Sequence, residues 1–450
     1  MMIFSKNRWD RFKGSAFWKS VATLSAGQIV ALFINIFTIP VISRIYSKEA
    51  FGDFAIVTST AIIIIGFIGF GLGSAIMVPE SDEESEKIFV TSFLLQVYLT
   101  IILALVMIIL MPFYKIFSPQ IPYLASIGIM FLYIVLTVLS SSMNVYVNRL
   151  NMDKVLFINP LIGALVALCL KIPLGLMGFD SVGLYIATIA SLVLVNVHMI
   201  RKANPFKRKI NLSGMLCVIR KYKDFVIYQY PANLMGAFTC QMPNQFLGRK
   251  FGIIQLGDYS MNNSVFGAPS SLLAGPIQRI YFRTVSQRYR DEEDISEFTY
   301  SLITKLMLVG SVPIIATMAF GEEIFAFVLG TKWSTAGSLA SILALQYLFS
   351  FLYNCITYCR VAINKQRVNL YTSLFQFVVI ISSLIVGVGI FKTLLGTVTC
   401  FAIANLVYQI INISITFYCL KKNTIKFLIF SIVYCLTIVA VSILLKSILT

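Results

Sequence analysis

The sequence predicts an all-α polytopic membrane protein: two six-helix lobes in parallel internal repeat, plus an extra C-terminal transmembrane segment. Three observations predict it. The chain is 58% hydrophobic and only 12% charged, with a mean hydropathy of +0.85, whereas soluble domains are near half apolar and a quarter charged. Its apolar residues fall in blocks of about 20 to 28, the length a helix needs to cross a bilayer core. A charged stretch between two such blocks, "SRIYSKEAFGDFA" from Ser43, recurs without a gap as "GRKFGIIQLGDYS". Arg44, Gly52, Asp53 and Phe54 correspond there to Arg249, Gly257, Asp258 and Tyr259 at a constant offset of 205.

Residues 1–17 form a basic arm, expected in the cytoplasm, with no apolar core and small-residue cleavage site of a secretory signal. The N-terminal lobe, 18–200, holds spans at about 18–42, 51–78, 88–111, 122–147, 155–178 and 181–200. The first carries Gln28 and Asn35. The second ends in "GFIGFGLGS", where Gly66, Gly69, Gly71 and Gly73 serve either close packing or bending, and an acidic loop, "PESDEESEK", follows. The fourth ends at a polar break, "NRLNMDKVL". A basic linker, 201–223, leads to the C-terminal lobe, 224–420, with spans at about 224–248, 258–284, 298–320, 335–360, 369–391 and 394–419. This lobe follows the same plan, with an acidic loop "YRDEEDISE" after its second span and a break "VAINKQRVN" after its fourth. Parallel repeats of this kind place a pseudo-two-fold along the membrane normal and the substrate path between the halves. Residues 421–450 hold a thirteenth apolar segment, about 425–445, with no counterpart in the first lobe; if it spans, the C-terminus lies outside.

With the N-terminus inside, the inner segments hold about 23 Lys and Arg and the outer connections about seven, as the positive-inside rule requires. The net charge of +17 is thus topological, and no nucleic-acid partner is expected. The eight Cys are scattered, only Cys355 and Cys359 share a helix face, and the chain has one His and no CxxC. These cysteines read as small buried hydrophobes, and neither a metal nor a cofactor is expected.

No Asp or Glu lies in the middle of an apolar run. A cation-coupled antiporter usually keeps such an acid, although Asp53 or Asp258 near the outer surface could titrate. Cations do enter the spans: Lys171 deep in the fifth, Arg149 closing the fourth, Arg279 and Arg283 one helical turn apart in the eighth, and Lys305 in the ninth. They either snorkel to headgroups or line a cavity for an anionic head group, where the guanidinium fork suits phosphate. Tyr228, Gln229, Asn233, Gln241 and Asn244 make the seventh span unusually polar, and Asn262 and Asn263 open the eighth. They serve either as helix–helix hydrogen-bonding groups or as partners for sugar hydroxyls, and Pro231, Pro243 and Pro269 permit kinks there. No nucleophile with a His partner, no phosphate-cradling loop and no long external loop appears, so an enzyme is not expected. The longest outer connection, "FGEEIFAFVLGTKWSTAG", is too short to house a glycosyltransferase or polymerase site.

Several segments resemble a known family. "GSAIMVPESDEESEKIFVTS" is similar to the segment after the second span in Wzx-type polysaccharide and lipopolysaccharide flippases. "GAPSSLLAGPIQRIYFRTVSQ" resembles their eighth-span pattern, and "AFGEEIFAFVLGTKWSTAG" their external signature. The likeness covers about 18–420, and the motifs are more specific together than singly. It implies a MATE-like fold of the multidrug/oligosaccharidyl-lipid/polysaccharide exporter superfamily. It also implies an inner-membrane flippase for an undecaprenyl-diphosphate-linked oligosaccharide, an O-antigen or capsule repeat unit. Further expectations are a monomer among membrane lipids, with a polysaccharide polymerase and a chain-length regulator as candidate partners. Under this reading Arg279, Lys305, Lys171, Arg149 and Arg283 face the diphosphate. The polar residues of spans one, seven and eight solvate the glycan, and Arg44 and Arg249 sit at the outer mouth. Many relatives carry Arg-Tyr-Glu where this chain has Gly71, Leu72 and Gly73, so that charge pair is not carried over. The alternative reading is a MATE-type drug or cation antiporter on the same fold.

Overall fold

Backbone N–H and C=O groups have no solvent partner in lipid, so an apolar block of bilayer length satisfies them within its own helix. The computed structural model describes residues 16–449 except 80, 110–121, 151, 207–211, 224–225, 228–229 and 364. Tyr228, Gln229 and most of the N-terminal arm therefore lie outside the described residues. The long helices are α1 (Ala16–Ile45), α2 (Lys48–Ile68), α3 (Asp82–Ile109), α4 (Tyr123–Arg149), α5 (Asp153–Leu176) and α6 (Asp180–Lys202) in the first half. The second half has α7 (Tyr230–Phe251), α8 (Ile253–Asn262), α9 (Ala268–Arg290), α10 (Ile295–Leu329), α11 (Ser334–Ile356), α12 (Gln366–Phe391) and α13 (Leu394–Cys419), and α14 (Thr424–Leu449) follows. No strand occurs among the described residues. Among the described residues, eleven helices are long and apolar enough to cross a membrane. The helices of the predicted seventh and eighth spans, α7 and α8–α9, fall outside that set: α7 and α9 are more polar, and α8 has only 10 residues.

The repeat is visible in the helix starts. α2 and α8 begin at 48 and 253; α3 and α10 at 82 and 295; α5 and α12 at 153 and 366; α6 and α13 at 180 and 394. The eighth span has a feature that its first-half counterpart α2 lacks: a π-helical turn, Asn263–Gly267, interrupts it between α8 and α9.

The local chemistry repeats as well. Ser81 Oγ accepts from the Glu84 N–H (3.3 Å) at the start of α3, and Asp294 Oδ1 accepts from the Ser296 N–H (2.7 Å) at the start of α10. Such side chains supply acceptors to the free N–H groups of a helix N-terminus. The hydrogen bond from Ser296 also holds the Asp294 carboxyl below its usual range. Three residues after each cap, a glutamate pairs with a lysine from the segment after its half's sixth span: Glu84 with Lys221, and Glu297 with Lys422. Glu84 also accepts from the Tyr222 hydroxyl (2.9 Å), and its carboxylate holds the Lys221 ammonium above the ordinary range.

By contacts the chain divides into two compact units. One comprises Met1–Thr38 and Ile64–Pro231, the other Ile39–Ile63 and Ala232–Thr450. The hairpin joining α1 to α2 thus belongs to the second unit. In the first unit, Leu72, Ile76, Ile88, Phe89, Met143 and Met199 form the core, and the short helix Leu212–Lys221 adds Val218 to it. The glycine cluster after α2 has a conformational use. Phe70 and Gly71 take φ of 45° and 69°, breaking the helix before a short turn, Leu72–Ala75. Gly73 has nothing within 4 Å of where a Cβ would stand, so close packing is not its role.

The core of the second unit is built by α9, α10, α11, α13 and α14 around Tyr281, Ile303, Phe349, Leu352, Ile413, Phe417 and Phe427. The thirteenth apolar segment is part of this core. In α14, the Phe427 ring packs 4.6 Å from Phe417, and the Tyr434 hydroxyl donates to the Met307 carbonyl (2.9 Å).

Candidate functional site

The charged stretch that marks the repeat is a packing device within the second unit. A Cβ at Gly52 would run into the carbonyl of Ile253, and one at Gly257 into the carbonyl of Lys48. Residues 48 and 253 are repeat equivalents, as are 52 and 257, so the two copies meet by the same contact read in both directions. That is the mark of a two-fold. Asp53 and Asp258 are both buried, at 3% exposure. Lys48 Nζ lies 2.8 Å from Asp258 Oδ1; its equivalent is Ile253, so this ion pair is not repeated.

The predicted external signature docks on the same hairpin. Trp333 is fully buried and donates from Nε1 to the Ser43 carbonyl (2.9 Å), while its ring meets Phe51 edge-on at 5.4 Å. Ser43 Oγ donates to the Leu329 carbonyl (3.0 Å), Lys332 to the Tyr46 carbonyl (2.7 Å) and Arg44 to the Phe327 carbonyl (3.1 Å). Gly330 has φ 107°, which a side chain would strain. The backbones of Gly321 and Gly337 meet so closely that neither leaves room for a Cβ. Arg44 and its repeat equivalent Arg249 therefore differ. Arg44 donates to the Phe327 carbonyl near the end of α10; Arg249 is exposed, with no polar partner among the described residues.

The predicted cations divide between the units. In the second, Arg279 and Arg283 share one face of α9, both half-buried, and Lys305 is exposed on α10 with no polar partner among the described residues. In the first, Lys171 is half-buried on α5 near Pro173. Arg149 reaches Asp82 (3.1 Å) and the Met77 carbonyl (3.3 Å), tying the end of α4 to the loop before α3.

Several predicted polar residues have protein partners. Asn262, fully buried, donates to the Ala336 carbonyl (2.7 Å) and so ties α8 to α11. Asn244 donates to Gln241 (3.1 Å) on α7 itself. Gln28 is half-buried, whereas Asn35, Asn233 and Asn263 are exposed. Pro231 lies in the first turn of α7, where its missing N–H costs nothing.

Two further residues of the second unit were not singled out from sequence. Gln245 on α7 is buried and donates to Ser59 Oγ (2.7 Å) and Thr60 Oγ1 (2.9 Å) of α2. Arg360, just past α11, is 1% exposed. Its guanidinium donates to Thr416 Oγ1 (3.1 Å), Thr372 Oγ1 (3.1 Å), Asn369 Oδ1 (3.3 Å) and both the side chain and the carbonyl of Asn412. All five donors go to neutral acceptors, and none to a carboxylate. A sequence signal existed: Asn412 and Thr416 stand one turn apart inside an apolar span, and such polar groups need a partner there. Among the described residues no group of three His, Cys, Asp or Glu is placed to hold a metal.

Against known proteins, residues 41–338 match the model of a family described as polysaccharide biosynthesis protein. Over 332 residues the chain is 25% identical to the succinoglycan biosynthesis transport protein ExoT of Rhizobium meliloti (strain 1021), covering 68% of this chain and 61% of that one. Among solved structures, it resembles the lipid II flippase MurJ in an inward closed conformation, with a TM-score of 0.67 and 12% identity over 95% of this chain and 98% of that one. It also resembles an inward-facing multidrug resistance MATE transporter, with a TM-score of 0.59 and 13% identity over 89% and 99%. The MATE-like fold implied by the sequence is therefore the fold found. The chain is a multi-pass membrane protein with the fold of these transporters, and it belongs to the polysaccharide biosynthesis protein family.

Proposed function

We propose that the chain moves an undecaprenyl-diphosphate-linked oligosaccharide from the cytoplasmic to the periplasmic face of the bacterial inner membrane by alternating access, with its N-terminus in the cytoplasm. The observation that carries this reading is the family match over 41–338. The fold shared with a lipid II flippase and the relative named for succinoglycan transport support it. In the second unit, Arg279 and Arg283 on one face of α9 and the exposed Lys305 of α10 receive the diphosphate. Guanidinium forks suit its oxygens, and a low-dielectric setting strengthens the attraction. Lys171, in the first unit, acts at a later stage. Arg149, in the first unit, is held by Asp82 at the start of α3. The exposed amides Asn233 and Asn263 of the second unit solvate the glycan, while the prenyl tail stays in lipid. An inside-negative potential favours outward movement of the anion by roughly 2.3 kcal/mol per charge per 100 mV.

Charge reversal tests the cationic site. Arg279→Glu and Lys305→Glu are each expected to lower surface-glycan display at least about tenfold at normal protein levels, since a like charge disfavours the anion. Full display in both variants would refute the site.

The two buried carboxylates, Asp53 and Asp258, keep one alternative open, an ion-coupled antiporter of the MATE type. Its coupling needs a titrating acid. Here Asp258 is engaged by Lys48 and both acids sit in the hairpin packing. The flippase reading expects Asp53→Asn and Asp258→Asn to transport normally wherever they fold. Loss of transport in a well-folded Asp53→Asn protein would favour the antiporter.

A further inference from the structure

The linker between the two halves, 201–223, holds eight Lys and Arg and no Asp or Glu. Its folded part is the short helix Leu212–Lys221, continued by a turn in which the Tyr222 N–H still donates to the Val218 carbonyl (3.0 Å). One face is committed to the first unit. Val218 and Tyr222, each 8% exposed, join a core that includes Ile88 and Phe89 of α3, Met143 of α4 and Met199 of α6. Lys221 pairs with Glu84 in the first turn of α3. Upstream, Phe206 meets the rings of Phe89 and Phe93 edge-on at 5.5 and 5.7 Å. The linker is thus strapped to α3 at the level where that span begins.

The opposite face is unpartnered among the described residues. Leu216, 62% exposed, is followed four and seven residues on by Arg220 and Lys223, both exposed and without a polar partner among the described residues. That spacing puts all three on one side of a helix. Arg201 and Lys202, exposed in the last turn of α6, add to the charge of the linker. Topology alone asks for positive charge at an inner face. It does not ask for a helix that turns one lysine inward to a glutamate and sets its other cations outward beside an exposed leucine.

We propose that this outer face docks on anionic phospholipid headgroups of the leaflet it borders, with Arg220 and Lys223 on their phosphates and Leu216 in the acyl boundary. The residue types decide the partner. On a charged lipid surface, apolar burial and attraction to anionic headgroups act together, and a helix already held at the end of a membrane span has that surface within reach. In the orientation proposed above, the leaflet is the cytoplasmic one. The docking is read by binding alone, so its failure leaves the flippase reading untouched.

The test is thermal unfolding of the detergent-purified full-length protein with added dioleoylphosphatidylglycerol, dioleoylphosphatidylcholine or inorganic phosphate. Phosphatidylglycerol is expected to raise Tm with saturation, and the other two to leave it unchanged. Arg220→Gln/Lys223→Gln raises the half-saturating lipid concentration at least about tenfold, since each basic residue at a charged surface is worth about fivefold. Arg220→Ala/Lys223→Ala is the second variant should the first fail to fold. Lys250→Gln/Lys392→Gln, the same loss of charge at two exposed lysines of the second unit, leaves the response as it is. No rise with phosphatidylglycerol, or an equal rise with phosphatidylcholine or phosphate, overturns the proposal. So does a response that the Arg220 and Lys223 substitutions leave unchanged, or one that the control pair weakens equally.

Discussion

Replacing Arg360 with leucine is expected to cost at least about 3 kcal/mol of stability, because neutral acceptors left unpaired in the interior cost about 1–3 kcal/mol each. Asn412 Oδ1 and Asn369 Oδ1 both lose the donor they have in the wild type, and the Tyr353 ring loses the guanidinium stacked 5.9 Å away. Arg360→Lys keeps the charge but offers three donors from one point in place of a planar fork, so it recovers only part of the loss. The exposed Arg249 is the control: Arg249→Leu should leave Tm unchanged. Size-exclusion profiles after graded heating read all three. An Arg360→Leu protein as stable as the wild type would mean the guanidinium is not what joins α11, α12 and α13 at that corner.

Gly52→Val and Gly257→Val should each prevent accumulation of folded protein. Overpacking a well-fitted core costs typically about 1–3 kcal/mol and occasionally more. Here the obstruction is main chain, the carbonyls of Ile253 and Lys48, which cannot swing aside as a side chain can. Because the two contacts are related by the repeat, the two variants should fail to a similar degree. Gly73→Ala, at a site with nothing within 4 Å, should accumulate normally. Membrane-fraction yield on a common promoter measures this. Normal yield of either valine variant would show that the hairpins do not pack against each other as described.

Much of the architecture is legible in the sequence because bilayer length and backbone satisfaction leave few options for an apolar block. The ungapped echo of residues 43–55 at 248–260 marks the repeat, and the helix starts follow it. The polar partners are less legible. Asn262 and Gln245 look alike in sequence to Asn263 and Gln241, yet the first two are buried and hold α11 and α2, while Asn263 is exposed. Which side a polar residue faces depends on the rotation of its helix, and the polar seventh span offers no sharp apolar stripe to fix that rotation. Arg360 was hidden for another reason. A cation just past a span counts as an inner-face charge under the positive-inside rule, and only the folded corner of α11 to α13 shows it sealed inside. Arg44 is similar: its charge marks an outer connection in the sequence, and only the fold shows it donating to the Phe327 carbonyl at the end of α10.

Carriage of a polyprenyl-diphosphate-linked glycan across the membrane, with cations of α9 and α10 engaging the diphosphate, is the proposed activity of this chain. It is tested most directly in proteoliposomes holding the purified full-length protein and a defined, fluorescently labelled undecaprenyl-diphosphate oligosaccharide. Appearance of the glycan on the opposite leaflet is followed with and without an imposed potential. Protein-dependent flipping is expected, speeding up when the destination side is positive and falling at least about tenfold in Arg279→Glu. No flipping above protein-free vesicles, or flipping indifferent to both the potential and the charge at residue 279, would contradict it.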